Sequence, residues 1–437
     1  MANCTTDRVE FSPLKRRVLD VDFSGGEVSS DGGLLLVREV DRRLKLTERV
    51  AAVLPDARNP DLIVHSQLDL LRQRVYAIVQ GYEDLNDHGQ LRQDTLLQSV
   101  LDRDEPLASA PTLCRLENRA SRAAAWALHA ELVETFIASF KSAPEELVLD
   151  FDATDDPVHG KQQGRFFHGY YDSYCFLPLY VFCGEQLLVS YLRPSKIDGA
   201  KHAWAILALL VKRLRQAWPG VRIVLRADSG FCRVRMLAWC ERHDVGYCVG
   251  LARNTRLEAQ CKPWHERLAR QYALSATAQR AFFEFRYAAK TWRLERRVIA
   301  RLEYSERGDN PRYIVTNVHG EPAQLYDELY CGRGEAENRI KEAQLGLFAD
   351  RTSCYYFSAN QFRLLLSSLA YVLVERLRAL GLSGTEFARL QATTLRAKLF
   401  KIGAVIVRNT RRIRFFISSA FPYRDTFVVV ARRFASG

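Results

Sequence analysis

The chain has 437 residues, room for two to four structural units at about 150 residues each. Hydrophobic residues are 48% and charged residues 26%, which excludes a disordered, collagen-like or membrane-embedded chain. The net charge is +12, and residues 401–437 concentrate eight bases, from Lys401 to Arg433, against the single acid Asp425. Such a basic patch attracts phosphate backbones or acidic lipid surfaces. With no lipid-binding amphipathic stretch and no lipidation signal, nucleic acid is the favoured partner and no membrane is expected. A solvated basic tail is the bland alternative.

Ten cysteines contain no C-x-x-C pair, so zinc is not expected. The N-terminus lacks an apolar signal core. The longest apolar stretch, Leu364 to Val374, is interrupted by Ser367 and Ser368 and is too short to span a bilayer. The expectation is a reduced, cytoplasmic protein.

In chain order, residues 1–30 read as an irregular arm, with Asp31 placed to cap a following helix. Helices are predicted near 60–81, 110–118 and 120–141, making a mostly helical unit over 1–145. Leu147 to Asp152 then alternates with period two and reads as a strand. Residues 177–182 and 186–192 form a hairpin around Gly184. A helix at 200–217, a strand at 221–227, a helix at 233–243 and a strand at 246–251 follow. The fold class is α/β, a mixed sheet flanked by helices. Residues 254–320 read as a β-rich insertion, and 321–385 as helical. In the basic segment 386–437, RIRFFIS and TFVVVARR read as short strands.

Three acidic positions stand out. Asp150 and Asp152 lie on one face at the end of an apolar strand, where unpaired acids are costly. Either could be the first metal ligand, or both could be solvated loop residues. Asp228 ends the strand 221–227, the edge of an α/β sheet where sites gather, though an Asp there can simply cap the next turn. In a helix over 326–345, Tyr330, Arg333, Glu337, Lys341 and Gln344 share one stripe. That stripe is either a working face or a solvent face with ion pairs such as Glu337–Lys341.

Together, Asp152, Asp228 and Glu337 suit two divalent ions, magnesium or manganese, and in-line phosphoryl transfer. Arg333 and Lys341 would hold a phosphate backbone. No H-E-x-x-H, nucleophile elbow or P-loop competes.

These residues resemble the DDE transposases of bacterial insertion sequences. In that group a C-terminal helix carries Tyr, Arg, Glu and Lys at fixed spacing. Here Tyr330, Arg333 and Glu337 match, while Gln344 replaces the final Lys and Lys341 lies one turn earlier. The segments SSDGGLLLVRE (29–39), APTLCRLEN (110–118), LDFDATDDPVHG (149–160), LRADSGF (225–231) and AENRIKEAQ (336–344) are similar to the insertion-sequence thirteen-eighty family. The resemblance implies an RNase H-like core over 146–253 and 321–385. It also implies catalytic Asp152, Asp228 and Glu337, cleavage of element ends, and transfer to target DNA. Tyr330, Arg333, Lys341 and Gln344 are the expected DNA contacts. A homodimer on paired terminal inverted repeats is the expected assembly, in the bacterial cytoplasm at the nucleoid. Competing readings are a plain metal-dependent nuclease and a catalytically silent, transposase-derived DNA-binding protein. Arg72, Arg74 and Arg115 are expected to help the N-terminal unit read DNA.

Overall fold

The computed structural model describes residues 9–435. They divide into two compact units. The first joins the residues up to Glu117 with those from Leu369 onward, and the second is Asn118–Ser368.

In the first unit the buried helix Gln67–Gln80 starts at a capping box. Ser66 accepts from the Asp69 N–H, and Asp69 accepts from the Ser66 N–H. It ends at Gly81, whose φ of +96° is left-handed. Its polar residues turn inward. Arg74 Nε donates to Glu117 at 3.0 Å with both side chains buried, and Arg72 reaches Thr47, Glu48 and Asp41. Arg72 and Arg74 therefore do not present themselves to DNA, contrary to expectation. Their charges are consumed by acids far away in sequence. Arg115 remains exposed.

The expected arm at 1–30 contains a hairpin, Val9–Leu14 with Arg17–Val21, and a strand Glu27–Ser29. That last strand pairs antiparallel with Ala404–Asn409, which pairs in turn with Arg412–Ile417. Asp31 does not cap a helix with its side chain. It accepts from Lys401 Nζ at 2.6 Å and from the Tyr82 hydroxyl at 2.9 Å. Gly33 lies so close to the chain at 399–400 that a Cβ there would meet the Leu399 carbonyl oxygen at 2.1 Å. The segment 386–437 is thus one side of a unit that the N-terminal residues complete, not a separate tail. TFVVVARR, expected as a strand, lies in the helix Arg424–Ala435. Val430 and Phe434 are four apart and both buried, a helical spacing.

The second unit is built on a mixed sheet. Its main strands are β1 (Glu146–Ala153), β2 (Leu179–Cys183), β3 (Gln186–Tyr191), β4 (Arg222–Ala227), β5 (Gly246–Leu251), β6 (Gln279–Tyr287), β7 (Arg296–Ser305) and β8 (Arg312–Thr316). Their order across the sheet is β6-β7-β8-β5-β4-β1-β2-β3, with a two-residue strand Gly308–Asp309 against β7. β1, β4 and β5 run parallel, and the other neighbours are antiparallel. Leu149, Phe151, Ile223 and Leu225 share one core with residues of the helices Arg122–Ala138, Ala203–Ala217 and Val234–Arg242. The hairpin turns at Gly184 as read from the sequence.

The region 254–320 differs from a separate β-rich insertion. It holds a 21-residue helix, Thr255–Ser275, capped by Asn254. Its strands extend the central sheet through the pairing of β8 with β5. A small sheet of Asp156–Pro157, Ser173–Phe176 and Phe166–His168 follows β1. Among the described residues, no helix is long and apolar enough to cross a membrane.

Candidate active site

β1 and β4 pair in parallel with a constant offset of 76 residues, ending at Phe151 opposite Ala227. One residue further, the same offset sets Asp152 level with Asp228, at the carboxyl ends of adjacent parallel strands. The Asp228 side chain also accepts from the Gly230 N–H at 2.9 Å, capping the short turn Ser229–Phe231. The capping role and the site position therefore coexist.

The third acid comes from the segment Pro322–Gly346, which is not a uniform helix. A wide π stretch (Leu325–Tyr330), a tight turn (Cys331–Arg333), an α-helix (Gly334–Lys341) and a second π stretch (Glu342–Gly346) succeed one another. Helical wheels drawn at 100° per residue therefore fail across it, and π turns frequently mark functional sites. Arg333 Nη1 donates to Glu337 Oε1 at 2.6 Å and stands 3.6 Å from Asp152 Oδ2. Tyr330 reaches the same place. A Cβ on Gly250 would sit 2.7 Å from the Tyr330 hydroxyl and 3.2 Å from the Asp228 carbonyl carbon. Only glycine in β5 leaves room for that ring.

Asp152 shows the electrostatic result. Burial pushes its pKa up to about 7; Arg333 opposes the rise, and the neighbouring charges of Asp228 and Glu337 add to it. The Ala153 N–H, donating at 2.9 Å, also favours the charged form. The three acids and Arg333 thus share one electrostatic neighbourhood.

Asp150, the rival first acid, is already taken. Arg226 Nε and Nη2 donate to its two oxygens at 2.5 and 2.7 Å, and Arg226 Nη1 donates to the Leu329 carbonyl at 2.7 Å. Sequence reasoning missed Arg226. The signal was a charged residue inside the apolar strand VRIVLRA, which needs a buried partner. Gln344 Nε2 donates to the Asp155 carbonyl at 3.1 Å, so it braces the segment after β1. Lys341 is exposed.

Among the described residues, no three carboxylate, imidazole or thiol side chains stand together closely enough to hold an ion. The donor chemistry nonetheless fits a hard divalent cation: three carboxylates, one of them partly desolvated, now compensated by a guanidinium. An ion shared by Asp152 and Glu337 would require Arg333 to withdraw.

Residues 11–436 match the family described as transposase DDE domain group 1. The chain belongs to this family. Among solved structures, it is similar to a piggyBac transposase in a synaptic complex with hairpin DNA. The identity is 9% and the TM-score 0.40, over 85% of this chain and 79% of that one. No curated protein matches. The chain is therefore a DDE-domain transposase built on a mixed α/β sheet.

Proposed function

We propose that this transposase is of the insertion-sequence thirteen-eighty kind, of bacterial origin, with an RNase H-like core in which Asp152, Asp228 and Glu337 are the catalytic acids. The observation that carries the reading is the meeting of Arg333 with Asp152 and Glu337, beside the parallel ends of β1 and β4. The block β3-β2-β1-β4-β5, with acids at the carboxyl ends of β1 and β4, supports the RNase H-like assignment. The reaction is cleavage at element ends followed by joining to target DNA. The DNA partner is double-stranded, with terminal inverted repeats, and the working form is a homodimer on paired ends.

Asp152, Asp228 and Glu337 would hold magnesium or manganese, two ions in all. Bound there, such ions neutralise charge on the transferring phosphate and sharpen an attacking oxygen. The chain's own residues do the rest. Arg333, released from Glu337, reaches a phosphate oxygen, and exposed Lys341 holds the strand one helical turn away. The Tyr330 hydroxyl lies against Gly250, beside the backbone of Asp228. Gln344 fixes the segment that follows Asp152. End recognition falls to the first unit, through Arg115 and the exposed Arg411, Arg412 and Arg414.

The test is a supercoiled plasmid carrying the element ends, incubated with protein and magnesium. Cleavage with joined products supports transposition. Cleavage without joining supports the plain nuclease. A gel shift without cleavage supports a silent DNA-binding protein.

A further inference from the structure

Seven aromatic side chains of the second unit are strongly exposed: Trp126, Phe167, Tyr170, Tyr174, Trp264, Tyr355 and Tyr356. Trp264 is accounted for, since it stacks on Phe283 with centroids 4.3 Å apart. Five of the others lie in or directly against one strap, residues 157–176, which follows β1. Phe167 and Tyr174 are cross-strand partners with centroids 5.7 Å apart. Tyr170, at the turn between their strands, is 84% exposed. The Gln163 N–H donates to the Tyr355 carbonyl at 2.8 Å, which brings Tyr355 and its neighbour Tyr356 to the strap.

Cations are interleaved with these rings. The Arg165 guanidinium lies over Tyr174 at 4.5 Å, and Lys196 Nζ lies over Phe166 at 4.4 Å. Among the described residues neither cation is held in an ion pair. The strap 157–176 contains one acid, Asp172, beside the bases Lys161 and Arg165. The strap is also beside the acids. It begins five residues after Asp152, and Gln344 ties its root at Asp155 to the helix of Glu337. Tyr171 reports the proximity: burial pushes its hydroxyl up to about 12, with Asp155, Tyr170 and Asp152 adding to the rise.

We infer that this strap is a stacking platform for unpaired nucleotides, holding bases of a separated DNA strand beside the phosphate that the acids act on. Exposed rings offer π-faces to bases of any sequence, and interleaved Arg and Lys follow the phosphates. Intact duplex offers little to such a surface, because its base faces are already stacked inside. The strand binding stands on the strap alone. Only its placement at the reacting phosphate rests on the proposed role of the acids.

The experiment uses the full chain in EDTA, so that no cleavage intervenes. Binding of single-stranded oligothymidylate and of a blunt duplex is measured by fluorescence anisotropy. Quenching of 2-aminopurine in the single strand reports stacking. Tyr170→Ala combined with Tyr174→Ala should weaken single-strand binding about tenfold or more and abolish the quenching, with duplex binding unchanged. Tyr170→Phe with Tyr174→Phe should restore both, since stacking needs the ring and not the hydroxyl. Thermal melts of each variant establish that it is folded. Unchanged single-strand affinity in the Ala variant, or an equal loss on duplex, would overturn the platform. A working platform in a protein that cleaves no DNA with magnesium would instead refute the role of the acids.

Discussion

Arg226 and Asp150 form a two-pronged ion pair on neighbouring strands, with N–O distances of 2.5 and 2.7 Å. The third arm of the same guanidinium holds the carbonyl of Leu329, just before Tyr330. One side chain therefore connects β1, β4 and the segment that carries Arg333 and Glu337. Gly332 accommodates it, since a Cβ there would lie 2.4 Å from Arg226 Nη1.

Breaking that joint should cost more than replacing it. Asp150→Ala leaves a mostly buried guanidinium without its acid, and should lower stability by about 3–5 kcal/mol. Arg226→Met with Asp150→Leu should recover much of that loss, yet still leave Leu329 unanchored. Urea unfolding of the two variants is the comparison, and equal losses would refute it.

Substituting the acids should separate chemistry from binding. Asp228→Asn and Glu337→Gln should each reduce cleavage of an element-end substrate in magnesium by about a hundredfold or more. Gel shifts in calcium should be preserved, because Arg and Lys supply the phosphate contacts. Full cleavage by either variant would remove that residue from the catalytic set.

The first unit offers a contrasting case. Arg74→Ala removes the guanidinium that meets buried Glu117 and should destabilise by about 3–5 kcal/mol. DNA affinity per folded molecule should be unchanged. Arg115→Ala should do the reverse, weakening DNA binding with an unaltered melting curve. A DNA-binding defect in a fully folded Arg74 variant would contradict the inward placement.

Asp156 should make the second unit sensitive to pH. It is fully buried. Burial pushes its pKa well above the usual range, with Asp350 and Asp155 adding to the rise against a lowering by Thr352. Tyr180 and Cys175 also face it. A raised carboxyl pKa means that the stabilising, protonated form is fully present below the unfolded value, about 4, and is lost as pH rises through the folded value. Asp156→Asn should therefore melt higher than the parent at pH 8, with the gap closing toward pH 4. A constant gap across that range would exclude titration as the cause.

The parts of the fold that rest on local pattern were legible. The alternation of Leu147 to Asp152, the turn at Gly184 and the strand before Asp228 all lie in the structure where periodicity put them. Long-range pairings were not legible. Nothing near Arg74 announces Glu117, 43 residues away, so a helix periodicity could not say that the charge points inward. The strands after 279 looked like a separate element because their hydrogen-bonding partner, β5, precedes a 21-residue helix. At the site, the acids were visible as types and spacings. The assignment of Asp150 was not, because its partner Arg226 is 76 residues on. The π turns left no periodic trace at all.

The strand Glu27–Ser29 and the Asp31 carboxylate are completed by residues made only after the whole second unit. Lys401 follows Asp31 by 370 residues. At about 5–20 residues per second, a ribosome needs roughly 20 to 70 s to span that interval. Throughout that time the second unit can be finished while the first lacks its last strands. A message cut short between codons 368 and 401 would thus yield a chain bearing the three acids without the completed first unit.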